Sequence, residues 1–200
     1  MFSEIIFDVE TQKFFDEVDS RDPGALGVSI VSVYSRKLDE NFKEIEGTMQ
    51  SFWEDEIDRM WPLFQGKDRI IGFNSIGFDV PVLSPYEKFP LANLPHFDIL
   101  ANVKEVLGHR ISLDALAKET LRTKKIDHGA RAVEYWRKGD KESLSKLKKY
   151  CEADVIITRD LYDHGLHEKI LRFKDKWNTP RQVEVDFSYP PQDMKQDSLF

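Results

Sequence analysis

The sequence has few features of a secreted or membrane protein. Its single cysteine, Cys151, excludes an internal disulfide and a zinc site built from several cysteines. No apolar run approaches the ~20 residues that are needed to span a bilayer. The first residues also lack the basic and apolar regions of a signal peptide. We therefore expect a cytoplasmic protein.

The chain also lacks a net positive charge. The chain has 29 basic and 36 acidic residues, a net charge of −7, which argues against a protein that coats nucleic acid through bulk charge. The segment from Lys118 to Lys149 is the exception, with eleven basic and five acidic residues. This segment is either a solvated helical face or a surface that follows phosphates beside a site, and the sequence leaves both interpretations open.

The hydrophobic pattern predicts strands first, and then alternating helices and strands. Residues 4–10 and 26–34 are predicted strands, residues 41–46 a weaker third strand, and residues 69–74 a buried strand. This order predicts an α/β domain with a mixed sheet and helices on both faces.

Helix signals follow these strands. Ser51 and Glu54 form a capping box, and apolar residues at helical spacing then predict an amphipathic helix that ends near Pro62. A helix is also predicted over residues 99–107, and Ser112 is the predicted N-cap of the next one.

The C-terminal part contains the longest predicted helix. It runs from about Asp140 to His164, and Gly165 is expected to end it. Residues 169–187 form a predicted hairpin. We therefore expect one domain over residues 1–187 and a flexible tail over residues 188–200.

Two acidic residues occupy one face of the first predicted strand. Because side chains alternate along a strand, Asp8 and Glu10 lie on the same side as Ile6. Adjacent carboxylates repel each other, and without a cation one of them would stay protonated. The alternative is an edge strand with one solvated face.

Two further aspartates and a tyrosine have unusual positions. Asp154 falls within the apolar face of the long helix, seven residues after Leu147 and seven before Leu161. A buried unpaired carboxylate is costly, so this position indicates either a function or a buried basic partner. Tyr150 lies one turn earlier and can point to the same place. Asp79 follows a predicted strand, where an ordinary helix-start aspartate is the alternative.

Four convergent carboxylates require positive charge between them. Oxygen ligands favour Mg²⁺ or Mn²⁺ over zinc, and two such ions ~3.5–4 Å apart are a known arrangement for phosphoryl transfer. Asp8, Glu10, Asp79 and Asp154 are therefore the predicted ligands of two divalent cations.

Three motifs of the chain resemble those of the DEDD exonucleases of the ribonuclease H-like superfamily. They are F-D-V-E-T from Phe7 to Thr11, N-S-I-G-F-D from Asn74 to Asp79, and Y-C-E-A-D from Tyr150 to Asp154. The resemblance covers roughly residues 4–165. It implies a mixed five-stranded sheet, made of a three-strand meander plus parallel strands, with helices on both faces.

The third motif is similar to the tyrosine branch of this family, because Tyr150 stands four residues before Asp154. The resemblance implies that Tyr150 orients the nucleophilic water without acting as a full general base, since a free phenol has a pKa of ~10. The second motif and residues 80–83 resemble the proofreading domains of family B polymerases. Residues 96–117 are similar to stand-alone or helicase-associated members, and Asp98 within them is interpreted as structural.

The resemblance implies a metal-dependent 3′-5′ exonuclease that acts on the 3′ end of single-stranded DNA and releases 5′-monophosphates. An RNA exonuclease and a catalytically inactive nucleic-acid-binding module of the same fold are the alternatives. Endonuclease action is less favoured.

Substrate contacts are expected from the motifs and from the basic segment. The predicted residues are Thr11, Asn74, Phe78, Arg131, Arg137 and Lys138. Phe14, Phe15 and Trp136 are candidates for stacking on bases. His128, in a predicted loop, is interpreted as a surface residue rather than a catalytic one.

The last five residues resemble the short motif by which bacterial replication and repair proteins bind the sliding clamp. Gln196 is followed by two polar residues and then by Leu199 and Phe200. A polar, proline-containing tail cannot form its own core, so these two apolar residues are available to a pocket elsewhere. They could instead fold back on their own domain or have no role.

Overall fold

A mixed five-stranded sheet lies at the centre of the structure, a computed structural model that describes residues 1–123 and 130–189. The strands are β1 (Phe2–Thr11), β2 (Val28–Leu38), β3 (Glu44–Trp53), β4 (Arg69–Gly72) and β5 (His96–Asp98). They lie in the order β3-β2-β1-β4-β5. β2 is antiparallel to β1 and β3, whereas β4 is parallel to β1 and β5. The predicted fold class is confirmed.

Six helices surround this sheet within the described ranges. They are α1 (Trp61–Phe64), α2 (Asp79–Leu83), α3 (Ile99–Leu107), α4 (Leu113–Thr120), α5 (Ala130–Lys138) and α6 (Lys141–Glu168). The predicted caps are present, because the backbone N–H of Ala115 donates to Ser112 and α3 ends at Gly108 with φ 73°. None of these helices is both long and apolar enough to cross a membrane.

Alternating residues of β1 belong to two cores. Ile5, Phe7 and Val9 pack against α1 and α2 on one face of the sheet. Ile6 packs with residues of α3, α4 and α6 on the other face. This alternation turns the even-numbered residues of β1 toward α6, as the period of a strand predicts.

The predicted helix over residues 51–62 is wrong. Ser51 lies in β3, where its hydroxyl is 3.0 Å from the hydroxyl of Ser32 on β2. The chain then forms a 3-10 helix over Glu54–Arg59 before the short α1. Pairing with β2 along the whole of β3 determines the conformation here, because strand preference depends on neighbouring strands more than on local spacing.

The predicted end of the long helix is also wrong. α6 continues through Gly165 to Glu168, and Lys169 ends it with φ 57°. A Cβ atom on Gly165 would lie 2.2 Å from the ring of Phe187. Glycine is therefore required here for close packing against the chain that follows, and not for ending the helix.

The predicted hairpin is confirmed as β6 (Ile170–Lys174) and β7 (Pro180–Glu184). The chain after it packs against the amino-terminal end of β1. Tyr162 and Tyr189 donate hydrogen bonds to the buried Glu4, and Arg69 donates to the carbonyl of Ser188 at 2.9 Å. His128, Gln196, Leu199 and Phe200 lie outside the described residues.

Candidate active site

The site lies where β1 and β4 diverge toward their carboxyl ends. The two strands pair only from Glu4 to Ile6 on the β1 side. Further along β1, the backbone N–H of Val9 donates to Oδ1 of Asp79 at 2.9 Å. The first residue of α2 is thus inserted beside β1, in a cleft of the kind that binds ligands in α/β sheets.

Three other carboxylates converge on this cleft from β1 and α6. Oxygen atoms of Asp8, Glu10 and Asp154 lie within 4.8 Å of one another. α6 packs across β1, so that the buried Cys151 has its sulfur 3.5 Å from Oδ2 of Asp8. Asp154, one turn along from Cys151, is thereby brought to the strand.

Burial and mutual repulsion raise the pKa values of the carboxylates on β1. Burial is the larger cause for both Asp8 and Glu10, whose pKa values lie well above the usual range. The negative charges of Asp79 and Asp154 act on both groups and raise their pKa values further. All four carboxylates therefore share one electrostatic environment.

The pKa values of the other two carboxylates, Asp79 and Asp154, are raised as well. Burial raises the pKa of Asp79 to about 7, although the N–H of Val9 stabilises its charged form. Burial raises the pKa of Asp154 to about 6, although the hydroxyl of Tyr150 stabilises its charged form. Within residues 1–123 and 132–189, no lysine or arginine forms an ion pair with any of the four carboxylates. This donor set fits divalent cations, which oxygen-rich sites bind.

Tyr150 contacts the cluster through its hydroxyl group, which hydrogen-bonds to Asp154. Its pKa is raised far above the usual range, first by burial and then by the charges of Asp154 and Glu10. The phenol therefore keeps its proton near neutral pH. It can orient a neighbouring group by hydrogen bonding, but it cannot serve as a general base.

Asp98 holds the loop that precedes Asp79. Its Oδ1 accepts hydrogen bonds from the backbone N–H groups of Asn74 at 2.8 Å and Ala101 at 3.1 Å. Its Oδ2 accepts from the N–H of Ile76 at 3.1 Å. Asp98 therefore fixes the loop and caps α3 at the same time, which is the structural role expected for it.

Arg110 is a residue of this region that the sequence pattern did not indicate. Its guanidinium donates to Oδ1 of Asn74 at 2.9 Å. Asn74 has φ 64°, a left-handed conformation that asparagine tolerates better than most residues. Arg110 is an isolated exposed cation in the sequence, so no local signal linked it to Asn74.

Two of the predicted stacking residues, Phe15 and Trp136, each contact another aromatic ring. Phe78 is half-buried and makes an edge contact with Phe15, with ring centroids 6.2 Å apart. Trp136 stacks on Trp53 at 6.3 Å. Trp136 and its neighbour Arg137 line a cavity of about 640 Å³.

The remaining predicted substrate contacts are at the surface or in a turn. The hydroxyl of Thr11 donates to the carbonyl of Lys13 at 3.0 Å. Arg137 pairs with Glu17, and Arg131 and Lys138 are exposed near the two ends of α5. The basic segment thus includes a helix with a solvated face, and the contacts of these residues with substrate stay predictions.

A family model of the ribonuclease H superfamily matches residues 5–165. This chain belongs to the ribonuclease H superfamily. The match contains all four carboxylates and Tyr150, and it ends within α6, before β6 and β7. A comparison with curated proteins finds no match.

Solved structures with a similar fold come from longer proteins. A family B DNA polymerase from the archaeon Pyrobaculum calidifontis has a TM-score of 0.60 and 22% identity, over 83% of this chain and 25% of that chain. Two structures of E. coli exonuclease I, a zinc-bound complex with single-stranded DNA and a complex with a dA16 oligonucleotide, have TM-scores of 0.46 and 0.45. Both are 14% identical over 83% of this chain and 41% of theirs. This chain therefore spans well under half of those structures, and the likeness to the polymerase shows the fold.

Proposed function

We propose that this protein is a two-metal-ion 3′-5′ exonuclease of the tyrosine branch of the DEDD family. It would hydrolyse phosphodiester bonds of single-stranded DNA in the cytoplasm and release 5′-monophosphates. The observation that carries the proposal is the grouping of Asp8, Glu10 and Asp154 within 4.8 Å, with Asp79 beside them, in a chain of the ribonuclease H superfamily.

The four carboxylates are the proposed metal ligands. Asp8, Glu10, Asp79 and Asp154 supply only oxygen atoms, which suits Mg²⁺ or Mn²⁺. When bound, two such cations lower the pKa of the attacking water and stabilise negative charge on the phosphate. Their charge also cancels the repulsion that raises the carboxylate pKa values in the free protein.

The protein's own groups would position the reactants. Tyr150 keeps its proton and is available to hold the attacking water by a hydrogen bond. The N–H of Val9 donates to Oδ1 of Asp79 and holds this carboxylate beside β1. The cavity beside Trp136 and Arg137 gives a terminal nucleotide an aromatic face and a cation.

The direction and product of cleavage can be tested with end-labelled substrates. Purified protein with Mn²⁺ is incubated with single-stranded DNA and RNA of one sequence, each labelled at either the 5′ or the 3′ end. A 3′ label should appear at once in a mononucleotide, and a 5′ label in a ladder of shortening products. EDTA should stop both reactions.

The matched controls are two variants of α6. Asp154→Asn should be inactive, whereas Asp160→Asn should be fully active, because Asp160 pairs with Arg159 away from the cluster. If only RNA is cleaved, the substrate is RNA and not DNA. Internal fragments would indicate an endonuclease. Binding without any cleavage would identify a non-catalytic module.

We also propose that the C-terminal residues bind a bacterial sliding clamp through Gln196, Leu199 and Phe200. The support is their sequence pattern. Tyr189, the last described residue, hydrogen-bonds to Glu4, at the opposite end of β1 from the carboxylates. A tether that starts there would raise the concentration of the enzyme at DNA ends without covering the site.

The clamp proposal is tested by measuring binding of the full chain to a purified bacterial clamp. Deletion of residues 196–200 and the double change Leu199→Ala with Phe200→Ala should each abolish binding and leave exonuclease activity intact. Equal binding by all three forms, or by none of them, would contradict the proposal.

A further inference from the structure

The turn between β6 and β7 displays a tryptophan outside the part of the chain that matches the family. Trp177 is 72% exposed, so its indole adds little to the core. The family match ends at residue 165, before this hairpin begins. Tryptophan is among the residues that contribute most to binding where it lies at an interface.

Hydrogen bonds fix the backbone that carries this indole. Oδ1 of Asp175 accepts from the N–H groups of Trp177 at 2.9 Å and Thr179 at 3.0 Å, and Oδ2 accepts from Arg181 at 2.9 Å. Asn178 completes the turn with φ 62°. The backbone of Trp177 is therefore anchored by hydrogen bonds, while its indole ring lies in solvent.

The surroundings of Trp177 are polar and cationic. The amine of Lys176 lies 4.4 Å from the centre of the indole ring. The exposed neighbours Asn178 and Thr179 offer polar groups only. A protein partner would require more apolar surface around the indole, whereas an unpaired base needs one aromatic face with a cation nearby.

A cavity of about 410 Å³ lies between this turn, α4 and α6. Lys174 and Asn178 of the hairpin line one side, and Asp114, Lys118 and Glu119 of α4 line another, where Lys174 pairs with Glu119 at 3.5 Å. Ile157 of α6 also lines it, three residues after Asp154 and therefore on the adjoining part of the same helix surface. The cavity has the size of sites that hold small ligands such as a nucleoside.

We infer that Trp177, Lys176 and this cavity, here called the hairpin platform, form a second binding site for single-stranded nucleic acid. A base stacks on Trp177 and the backbone passes over the cavity toward Asp154. The platform holds nucleotides remote from the cleaved bond. This inference rests on the proposed function, because the strand bound by the hairpin platform is the one that the enzyme would cut.

Binding can be measured without cleavage in the Asp154→Asn variant. A fluorescent single-stranded oligonucleotide of about 16 nucleotides, a length within the range that such sites cover, is titrated and its anisotropy recorded. Adding Trp177→Ala should weaken binding about tenfold, because loss of one stacked base has an effect of that order. Trp177→Phe should recover part of the affinity, since phenylalanine retains an aromatic face.

The matched control is Ile45→Ala, which removes a side chain that is 60% exposed on β3, at the other side of the sheet. It should leave binding unchanged. A trinucleotide should bind equally to the protein with and without Trp177, because it is too short to reach the platform. Equal affinity of the Trp177→Ala and Trp177-containing proteins for the long oligonucleotide would overturn the inference.

The same experiment separates this inference from the proposed function. If the protein with intact carboxylates cleaves nothing but binding still depends on Trp177, the platform stands and the exonuclease proposal fails. If the protein cleaves DNA and Trp177→Ala cleaves long and short substrates with unchanged kcat/KM, the exonuclease stands and the platform fails.

Discussion

At the scale of single residues, the four carboxylates form a cluster of like charge in the cleft, and their repulsion destabilises the folded protein without metal. Asp8 and Glu10 are adjacent on one face of β1, and Asp79 and Asp154 are added from two helices. The charges of Glu10, Asp79 and Asp154 raise the pKa of Asp8, and those of Asp154 and Asp79 raise the pKa of Glu10, so the cluster opposes its own ionisation. Such an arrangement lowers stability in favour of function, as active sites commonly do.

Replacing one of these carboxylates should therefore have opposite effects on activity and stability. Under the proposed function, Asp8→Asn should lower exonuclease activity more than about a thousandfold, because it would remove a metal ligand and charge stabilisation. In EDTA the same variant should melt at a higher temperature than the parent, because one repulsive charge is gone. Activity and melting temperature are measured on the same preparation, with Asp160→Asn as the control; near-normal turnover would refute the ligand assignment.

Under the proposed function, Tyr150 should contribute less than the carboxylates, because it would orient the attacking water by a hydrogen bond and would not be a metal ligand. We expect Tyr150→Phe to lower kcat by ~10²–10³, the usual effect of losing one such hydrogen bond. The phenyl ring would keep its packing with Ile30 and Leu147, so the melting temperature should change little. Unchanged kcat would contradict the tyrosine-branch assignment.

At the scale of elements, Asp98 links α3 to the loop that precedes Asp79. Asp98→Asn keeps the shape of the side chain but replaces one acceptor oxygen with a donor, which cannot pair with the N–H of Ile76. We expect a loss of about 1–3 kcal/mol in the free energy of unfolding, the range for an unsatisfied buried donor. Denaturant titration measures this, and Asp114→Asn, an exposed aspartate of α4, is the control expected to unfold like the parent.

Contact between α6 and the chain after β7 depends on a glycine. A Cβ atom at residue 165 would meet the ring of Phe187 at 2.2 Å. We therefore expect Gly165→Ala to destabilise the protein by about 1–3 kcal/mol through overpacking, although alanine favours a helix more than glycine does. Ser145→Ala, on the exposed face of α6, should change the unfolding free energy by less than about 0.5 kcal/mol. A stabilised Gly165→Ala protein would disprove this packing.

At the scale of the whole molecule, the raised carboxylate pKa values make stability depend on pH and metal. Asp79 and Asp154 have folded pKa values of about 7 and about 6, above the ~3.9 of an unfolded aspartate. The folded protein therefore binds more protons than the unfolded chain between about pH 4 and pH 7. Stability contributed by these groups is present at the acidic end of this range and is lost as the pH rises through the folded pKa values.

We accordingly expect the melting temperature in EDTA to fall by several degrees between pH 5 and pH 7. Mn²⁺ should remove most of this fall, because metals bind ionised carboxylates of the folded state. Asp79→Asn should flatten the profile in EDTA by removing one titrating group. A profile in EDTA that is the same for Asp79→Asn as for the parent would contradict the assigned burial of the cluster.

Several parts of this architecture could be read from local patterns. Alternation along β1 correctly predicted its two faces, and Ser112 and Gly108 correctly marked helix ends, because caps and strand periodicity are local properties. The helix expected at Ser51 failed, since pairing with β2 overrides helical spacing there. The prediction that Gly165 ends the long helix was wrong for a similar reason, because its partner Phe187 is distant in sequence.

The carboxylates of the proposed site stood out in the sequence alone, because charged residues are conspicuous at positions of an apolar pattern. The period of a strand placed Asp8 and Glu10 on one face of β1, and the period of a helix placed Asp154 on the apolar face of α6. The packing of α6 across β1 brings the three together. Only the tertiary structure decided how Asp79 joins them, since that requires β4 to diverge from β1 and expose the N–H of Val9. It also decided the contact of Arg110 with Asn74, which depends on packing between residues far apart in the chain.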